Sequence, residues 1–214
     1  MPALEIIGAP QSNYVWTCRI AAGEKGVPYT LIPARPHTPE VDAIHPFGKI
    51  PVMRHGLVQL SESKAIATYI DRAFPGPALM PDDPAALAQA EQWVSLINST
   101  IQPPLGQYMV AYYFPGTADG KPNQAVVETA ANKLPALLDV LSKAVAADGH
   151  LAGGRFTIAD MTLVPLLYYL AKLPESGVEM SKRPELTACL ERHMKRPAVA
   201  STVPPPVPDL PPRG

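Results

Sequence analysis

Only two cysteines, Cys18 and Cys189, occur in 214 residues. They stand far apart and form no Cys-x-x-Cys pair, which argues against a disulfide framework and against thiol–disulfide exchange. Strong charge of either sign is also absent, and a formal net charge of −1 gives no overall basic field for nucleic acid. The longest apolar run of note, residues 161–171, is too short to span a bilayer and contains Pro165. No membrane partner is expected. The first residues, Met1-Pro2-Ala3-Leu4-Glu5, lack a basic stretch followed by an apolar one, so a cytoplasmic protein without a secretory leader is expected. The five histidines, His37, His45, His55, His150 and His193, share no metal-ligand spacing with one another or with cysteine, and no metal is expected.

What is present divides the chain in two. Residues 4–7 read as a strand, 14–25 as a helix closed by Gly26, and 29–32 as a second strand, a βαβ opening. Residues 52–54 and 58–60 then flank His55-Gly56 as a hairpin, and a helix over 63–74 follows, with Ala65, Ile66, Tyr69 and Ile70 on one face. Pro75-Gly76-Pro77 and Pro81-Asp82-Asp83-Pro84 break the pattern. Beyond them helical periodicity dominates: Leu87, Ala90, Trp93, Val94 and Ile97 recur at helical spacing, and residues 126–145 form a long pattern with Pro135 as a kink or break. The expected organisation is α+β: a domain over 1–76, a linker over 77–84, an all-helical domain over 85–203 and a Pro-rich tail over 204–214. Six prolines in the eleven tail residues favour an extended, polyproline-like segment.

Two motifs in the first domain carry chemistry. His45-Pro46-Phe47-Gly48-Lys49-Ile50-Pro51 ends a turn in an Ile-Pro bond. Leu60-Ser61-Glu62-Ser63-Lys64-Ala65-Ile66 places Glu62 and Ser63 where a helix begins. Free amides at a helix N-terminus, with a hydroxyl beside them, favour a carboxylate, while the Glu62 carboxylate can accept from an ammonium. Together they suit an α-amino acid, although Ser61 or Ser63 would also serve as a plain helix cap. These stretches resemble the glutathione-binding half of the cytosolic, serine-type glutathione S-transferases, with phi-, theta- and zeta-like features.

That resemblance implies a thioredoxin-like first domain with a mixed four-stranded sheet, and a cis Ile50–Pro51 bond that presents the Ile50 backbone to the cysteinyl part of glutathione. Glu62 and Ser63 would hold the γ-glutamyl end. His37 falls where relatives place a lysine for the glycine carboxylate, and Lys49, in place of a common glutamine, is a candidate for the same charge. In Gly8-Ala9-Pro10-Gln11-Ser12-Asn13-Tyr14, Ser12 matches the catalytic serine, whose hydroxyl donates to the glutathione sulfur; Asn13 would assist. The same serine would suit a helix N-cap, and Tyr14 is the competing hydroxyl.

Leu151-Ala152-Gly153-Gly154-Arg155-Phe156-Thr157-Ile158-Ala159-Asp160 resembles the capping motif of the family's helical domain. Thr157 can cap the following turn while Asp160 reaches back to the Thr157 amide, with an apolar helix over 161–173 beyond. The aromatic cluster Tyr108, Met109, Tyr112, Tyr113 and Phe114 is a candidate wall for an apolar electrophile, and core packing is the competing reading. The resemblance thus implies a transferase of alkyl or aryl groups with glutathione as co-substrate, a small apolar electrophile as second substrate, and a two-fold homodimer. A non-catalytic binding protein of the same fold and a glutathione-dependent isomerase or dehalogenase are the alternatives.

Overall fold

The computed structural model describes residues 2–115, 117 and 120–206. The first unit runs β1 (Leu4–Ile7), α1 (Asn13–Glu24), β2 (Tyr29–Ile32), α2 (Pro39–Asp42), β3 (Val52–His55), β4 (Val58–Ser61) and α3 (Ser63–Ala73). The strands form one mixed sheet in the order β2-β1-β3-β4, with β1 parallel to β2 and antiparallel to β3. A parallel β1–β2 pair needs a crossover, which α1 provides, whereas β3 and β4 are joined by a hairpin whose turn uses Gly56 at φ 61°. The helical unit follows: α4 (Pro84–Leu96), a π-helical turn over Ile97–Ile101, α5 (Gln102–Tyr113), α6 (Gln124–Ala131), α7 (Leu134–Val145), α8 (Ile158–Leu170), α9 (Pro174–Ser181), α10 (Pro184–Met194) and α11 (Pro197–Ala200).

Helix α1 is the hinge of the whole arrangement. It packs on α3 within its own unit and on α8 and α11 of the helical unit, so Val15, Trp16, Thr17, Cys18, Ile20, Ala21 and Ala22 are all buried. A helix apolar nearly all round is what such a sandwiched position requires. The Trp16 indole donates to Thr202 Oγ1 at 2.9 Å, and Arg196 makes a two-pronged ion pair with Glu24 at 2.8 and 2.7 Å. Thr17 has a more specific task. Pro165 lies inside α8 and has no N–H for the carbonyl four residues earlier, Met161. The Thr17 hydroxyl lies 3.2 Å from that carbonyl and 3.1 Å from the Asn13 carbonyl, and its one hydrogen is shared between them, so α1 brings a donor to the gap the proline leaves.

The observed elements depart from the pattern in three places. On α3 the buried face is Ser63, Ile66, Ala67, Ile70 and Asp71, and Ala65 is exposed. Helix α1 and the sheet together cover an arc spaced i, i+3, i+4, i+7, i+8, which Ala65 falls outside. Residues 126–145 form two helices, because Pro135 sits in the first turn of α7, where its missing N–H costs nothing. The apolar helix begins at Ile158, directly after its Thr157 cap, and ends at Leu170. The segment between the units is anchored: Leu79 and Met80 are buried, the Leu79 amide donates to Asp71 at 2.8 Å, and Asp71 pairs with the buried Lys25 at 3.3 Å. Of the Pro-rich tail, residues 207–214 lie outside the described residues.

Candidate active site

The loop after β1 is drawn tight against its surroundings. A Cβ at Gly8 would meet Val15 Cγ2 at 2.5 Å and Ile50 Cβ at 3.1 Å, so only glycine lets the chain pass between them. Ser12 is the N-cap of α1, and its Oγ accepts from the Val15 amide at 3.4 Å. That bond uses an oxygen lone pair and leaves the hydroxyl hydrogen free to donate elsewhere.

Two cavities open around this loop. One, of about 370 Å³, is almost wholly apolar; Ser12 and Asn13 form its floor, and Met109, Val110, Tyr113 and Tyr169 form walls on α5 and α8. The other, of about 210 Å³, is polar and is lined by His45, Lys49, Pro51, Glu62, Ser63 and Asn98. Tyr14 and Ile50 line both, so the cavities adjoin. Burial, with a smaller contribution from the Glu62 charge, pushes the Tyr14 hydroxyl up to about 12. It therefore remains protonated near neutral pH.

The polar cavity is shaped by backbone. The Ile50–Pro51 bond is cis, and Glu62 holds φ 68°, ψ 116°, a conformation uncommon for a residue with a Cβ. Glu62 precedes α3 without a capping hydrogen bond from its side chain, leaving the carboxylate 75% exposed and turned to the cavity beside the first amides of the helix. The buried His45 accepts from the Phe47 amide through Nδ1 at 3.0 Å, which places its proton on Nε2, 3.5 Å from Glu62 Oε1. An acceptor for an ammonium thus stands next to donors for a carboxylate.

The structure gathers some of the expected residues and disperses others. Ser12, Asn13, Lys49, Ile50, Pro51, Glu62 and Ser63 all line one or both cavities. The Asn13 amide donates to the Met109 sulfur at 4.0 Å. His37 lines neither cavity: a left-handed turn at φ 60° carries its exposed ring over Gly48, with Nδ1 3.7 Å from Asp42. In the aromatic cluster, Met109 and Tyr113 reach the apolar cavity while Tyr108 and Tyr112 do not. Both of the latter donate to the Glu175 carboxylate on α9, Tyr108 at 2.8 Å and Tyr112 at 2.7 Å. Residues 109 and 113 share one face of α5, and residues 108 and 112 share the face rotated from it by one residue's turn of the helix. Thr157 and Asp160 cap α8: the Thr157 hydroxyl accepts from the Ala159 amide at 3.2 Å, and Asp160 accepts from the Thr157 amide at 2.8 Å. His45, Asn98, Gln102 and Tyr169 were not singled out by sequence as site residues; His45 stood inside a recognised motif, whereas nothing local marks the others.

Comparison with known proteins agrees with this architecture. Residues 6–78 match the family described as glutathione S-transferase, N-terminal domain, and residues 101–197 match glutathione S-transferase, C-terminal domain. The chain is 32% identical to glutathione S-transferase 3 of Zea mays over 212 residues, covering 95% of this chain and 94% of that one. It superposes on glutathione S-transferase III in its apo form with a TM-score of 0.84 at 32% identity, covering 99% and 100% of the two chains. A theta class glutathione S-transferase from Xanthomonas axonopodis pv. citri, solved with glutathione bound, gives a TM-score of 0.81 at 29% identity over 95% of this chain and 98% of that one. The chain belongs to the glutathione S-transferase family.

Proposed function

We propose that this protein binds glutathione in the polar cavity, activates its thiol as thiolate through Ser12, and directs it at a small apolar electrophile held in the neighbouring cavity. The observation that carries this reading is the junction of the two cavities at Tyr14 and Ile50, with the Ser12 loop beside it. Glu62 is the acceptor for the γ-glutamyl ammonium. Ser63 and the free amides of α3 receive the carboxylate, and the Ile50 backbone receives the cysteinyl part. The cysteinyl sulfur is thereby delivered toward the floor of the apolar cavity. Lys49 supplies a charge for the glycine carboxylate, and His37 stays outside that set.

Activation is a matter of pKa. A free thiol titrates near about 8.5 and is mostly protonated at neutral pH. The Ser12 hydrogen is free because its oxygen is bound by the Val15 amide, and the positive end of α1 lies beside it. A donated hydrogen bond together with this dipole favours the anion. The sulfur lone pair then forms the new carbon–sulfur bond, and the electrophile's leaving group departs with its bonding pair or, in an addition, its carbon takes up a proton. The apolar walls exclude water from that encounter and select an apolar or aromatic body.

The test is Ser12→Ala, followed by the ultraviolet absorbance of bound thiolate across pH. Affinity for glutathione should change little, because Ile50, Glu62 and Ser63 hold the peptide independently. The bound thiol's pKa should rise by about one to two units, the value of one hydrogen bond to an anion. Normal binding with an unshifted titration would overturn the assignment of Ser12, and a parent protein that binds glutathione without forming thiolate or turning over would favour a ligand carrier.

A further inference from the structure

A second cluster of chemically capable side chains lies outside both cavities. His150, Asp160 and His193 each bring one donor atom to within 4.8 Å of the others. They come from three different segments: the loop before α8, the first turn of α8, and α10. Asp160 is fully buried and His193 is 1% exposed.

The hydrogen bonds fix which atoms are free. His193 Nε2 lies 3.0 Å from the Gly149 carbonyl, which can only accept, so Nε2 carries the proton and Nδ1 carries a lone pair. Among the described residues that buried Nδ1 has no partner, and neither does His150 Nδ1. His150 Nδ1 stands 4.0 Å from Asp160 Oδ1, beyond hydrogen-bond reach. Asp160 Oδ2 is used by the amide and hydroxyl of Thr157, whereas Oδ1 accepts only the Leu151 amide, at 2.9 Å, and keeps a second lone pair. Each imidazole thus keeps a buried nitrogen without a partner among the described residues, in a cluster whose carboxylate also has a spare lone pair. Buried polar atoms are seldom left this way.

From this geometry we infer that His150, Asp160 and His193 form a binding site for a divalent first-row cation of the zinc type. Two neutral imidazoles and a carboxylate are a ligand set such cations take, and the carboxylate supplies a negative charge. Ligands around tetrahedral zinc stand about 3.3 Å apart at bond lengths near 2.0–2.1 Å. The cluster, at up to 4.8 Å, must tighten to reach that size, and His150 is the least buried of the three. The surroundings already orient the ligands, with the Gly149 carbonyl on the His193 N–H and the Leu151 amide on Asp160, as second partners of metal ligands do. Arg196, a competing positive charge over the adjoining Phe156 ring, is paired with Glu24. Arg192 donates to the Asp148 carbonyl. Cys189, one helical turn before His193, donates from Sγ to the same Gly149 oxygen at 3.5 Å and lies outside the group of three, so water would complete the coordination. The site's role is structural, clamping the loop, the start of α8 and α10 together.

Spacing along the chain does not disclose this cluster, because the three residues become neighbours only when α10 packs on α8. The decisive experiment strips the whole protein with a chelator and titrates it with Co2+ and with Zn2+. One equivalent should bind, with the visible bands of low-coordinate cobalt and a rise in melting temperature. His150→Gln should lower the affinity by more than about 100-fold, more than loss of a hydrogen bond to a ligating group costs, while its metal-free melt stays near the parent's. Absence of binding by the parent, or binding undiminished in His150→Gln, would overturn the proposal and leave a proton or water as occupant of the cluster. Should His150→Gln fail to fold, X-ray absorption of the zinc-loaded parent decides: two imidazoles in the shell support the site, and a shell without imidazole rejects it.

Discussion

The Tyr169 hydroxyl donates to the Gln11 carbonyl oxygen at 2.6 Å. It ties α8 of the helical unit to the residue immediately before Ser12, so the serine's position is set by both units. Burial first, then the neighbouring Tyr168 and Tyr113, raises this hydroxyl well above the ordinary tyrosine value, and it remains a donor at any physiological pH.

Tyr169→Phe should therefore act on chemistry more than on binding. Loss of one neutral hydrogen bond, worth about 1 kcal/mol, should reduce turnover roughly fivefold with glutathione affinity nearly unchanged. Steady-state kinetics with glutathione and electrophile varied separately would check this; an equal loss in glutathione affinity would show that the bond serves the peptide site instead.

The two faces of α5 should separate in mutants. Tyr113→Ala removes a wall of the apolar cavity and should raise the KM for an apolar electrophile about tenfold, the value of roughly 1.4 kcal/mol of lost contact, leaving the glutathione KM alone. Tyr108→Phe removes a hydroxyl that serves Glu175 and should lower stability by about 1 kcal/mol without moving either KM.

Thr17→Val keeps the shape of the side chain and deletes the hydroxyl shared between the Met161 and Asn13 carbonyls, of which only Met161 lacks its helical N–H donor. An unpaired buried carbonyl costs about 1–3 kcal/mol, and a denaturant melt should show that loss. An unchanged midpoint would mean that the carbonyl finds another donor.

Glu175 should give stability a dependence on acid pH. Burial by itself would raise its carboxyl, but the bonds donated by Tyr112 and Tyr108 outweigh this and hold it below the usual carboxylate range. With a folded pKa below the unfolded one, the unfolded chain binds the proton first as pH falls, so the contribution is complete above the unfolded value near about 4.3. It is lost as pH drops through the folded value. The stability difference between the parent and Glu175→Gln should thus be flat at neutral pH and shrink below about pH 4.5. A difference that persists unchanged into strong acid would sink this account.

Asp160→Ala should be the most damaging of these changes. The buried carboxylate accepts from the Leu151 amide and from the amide and hydroxyl of Thr157. Its removal strands those donors and should cost about 3 kcal/mol or more in chelator-treated protein, read as a lower denaturation midpoint.

Much of the fold was legible because its signals are local. The βαβ opening, the hairpin at Gly56, the helix start at Glu62 and the Thr157–Asp160 cap each rest on residues a few positions apart, where turn chemistry and side-chain period act directly. The Ile50–Pro51 and Glu62–Ser63 motifs, read through the family resemblance, line the polar cavity. Which face of a helix meets which neighbour is a different kind of fact. Sequence offered Tyr108, Met109, Tyr112 and Tyr113 as one aromatic wall, but the rotation of α5 against α8 and α9 divided them, giving Met109 and Tyr113 to the cavity and Tyr108 and Tyr112 to Glu175. Nothing local to Thr17 marks its role, because Pro165 and the Met161 carbonyl stand opposite it only once α1 packs on α8. His150, Asp160 and His193 carried no common spacing, since packing between α8 and α10 is what brings them together. Residue chemistry and short-range spacing set the elements and the peptide-binding motifs; long-range packing, which depends on the whole buried surface at once, set the partners.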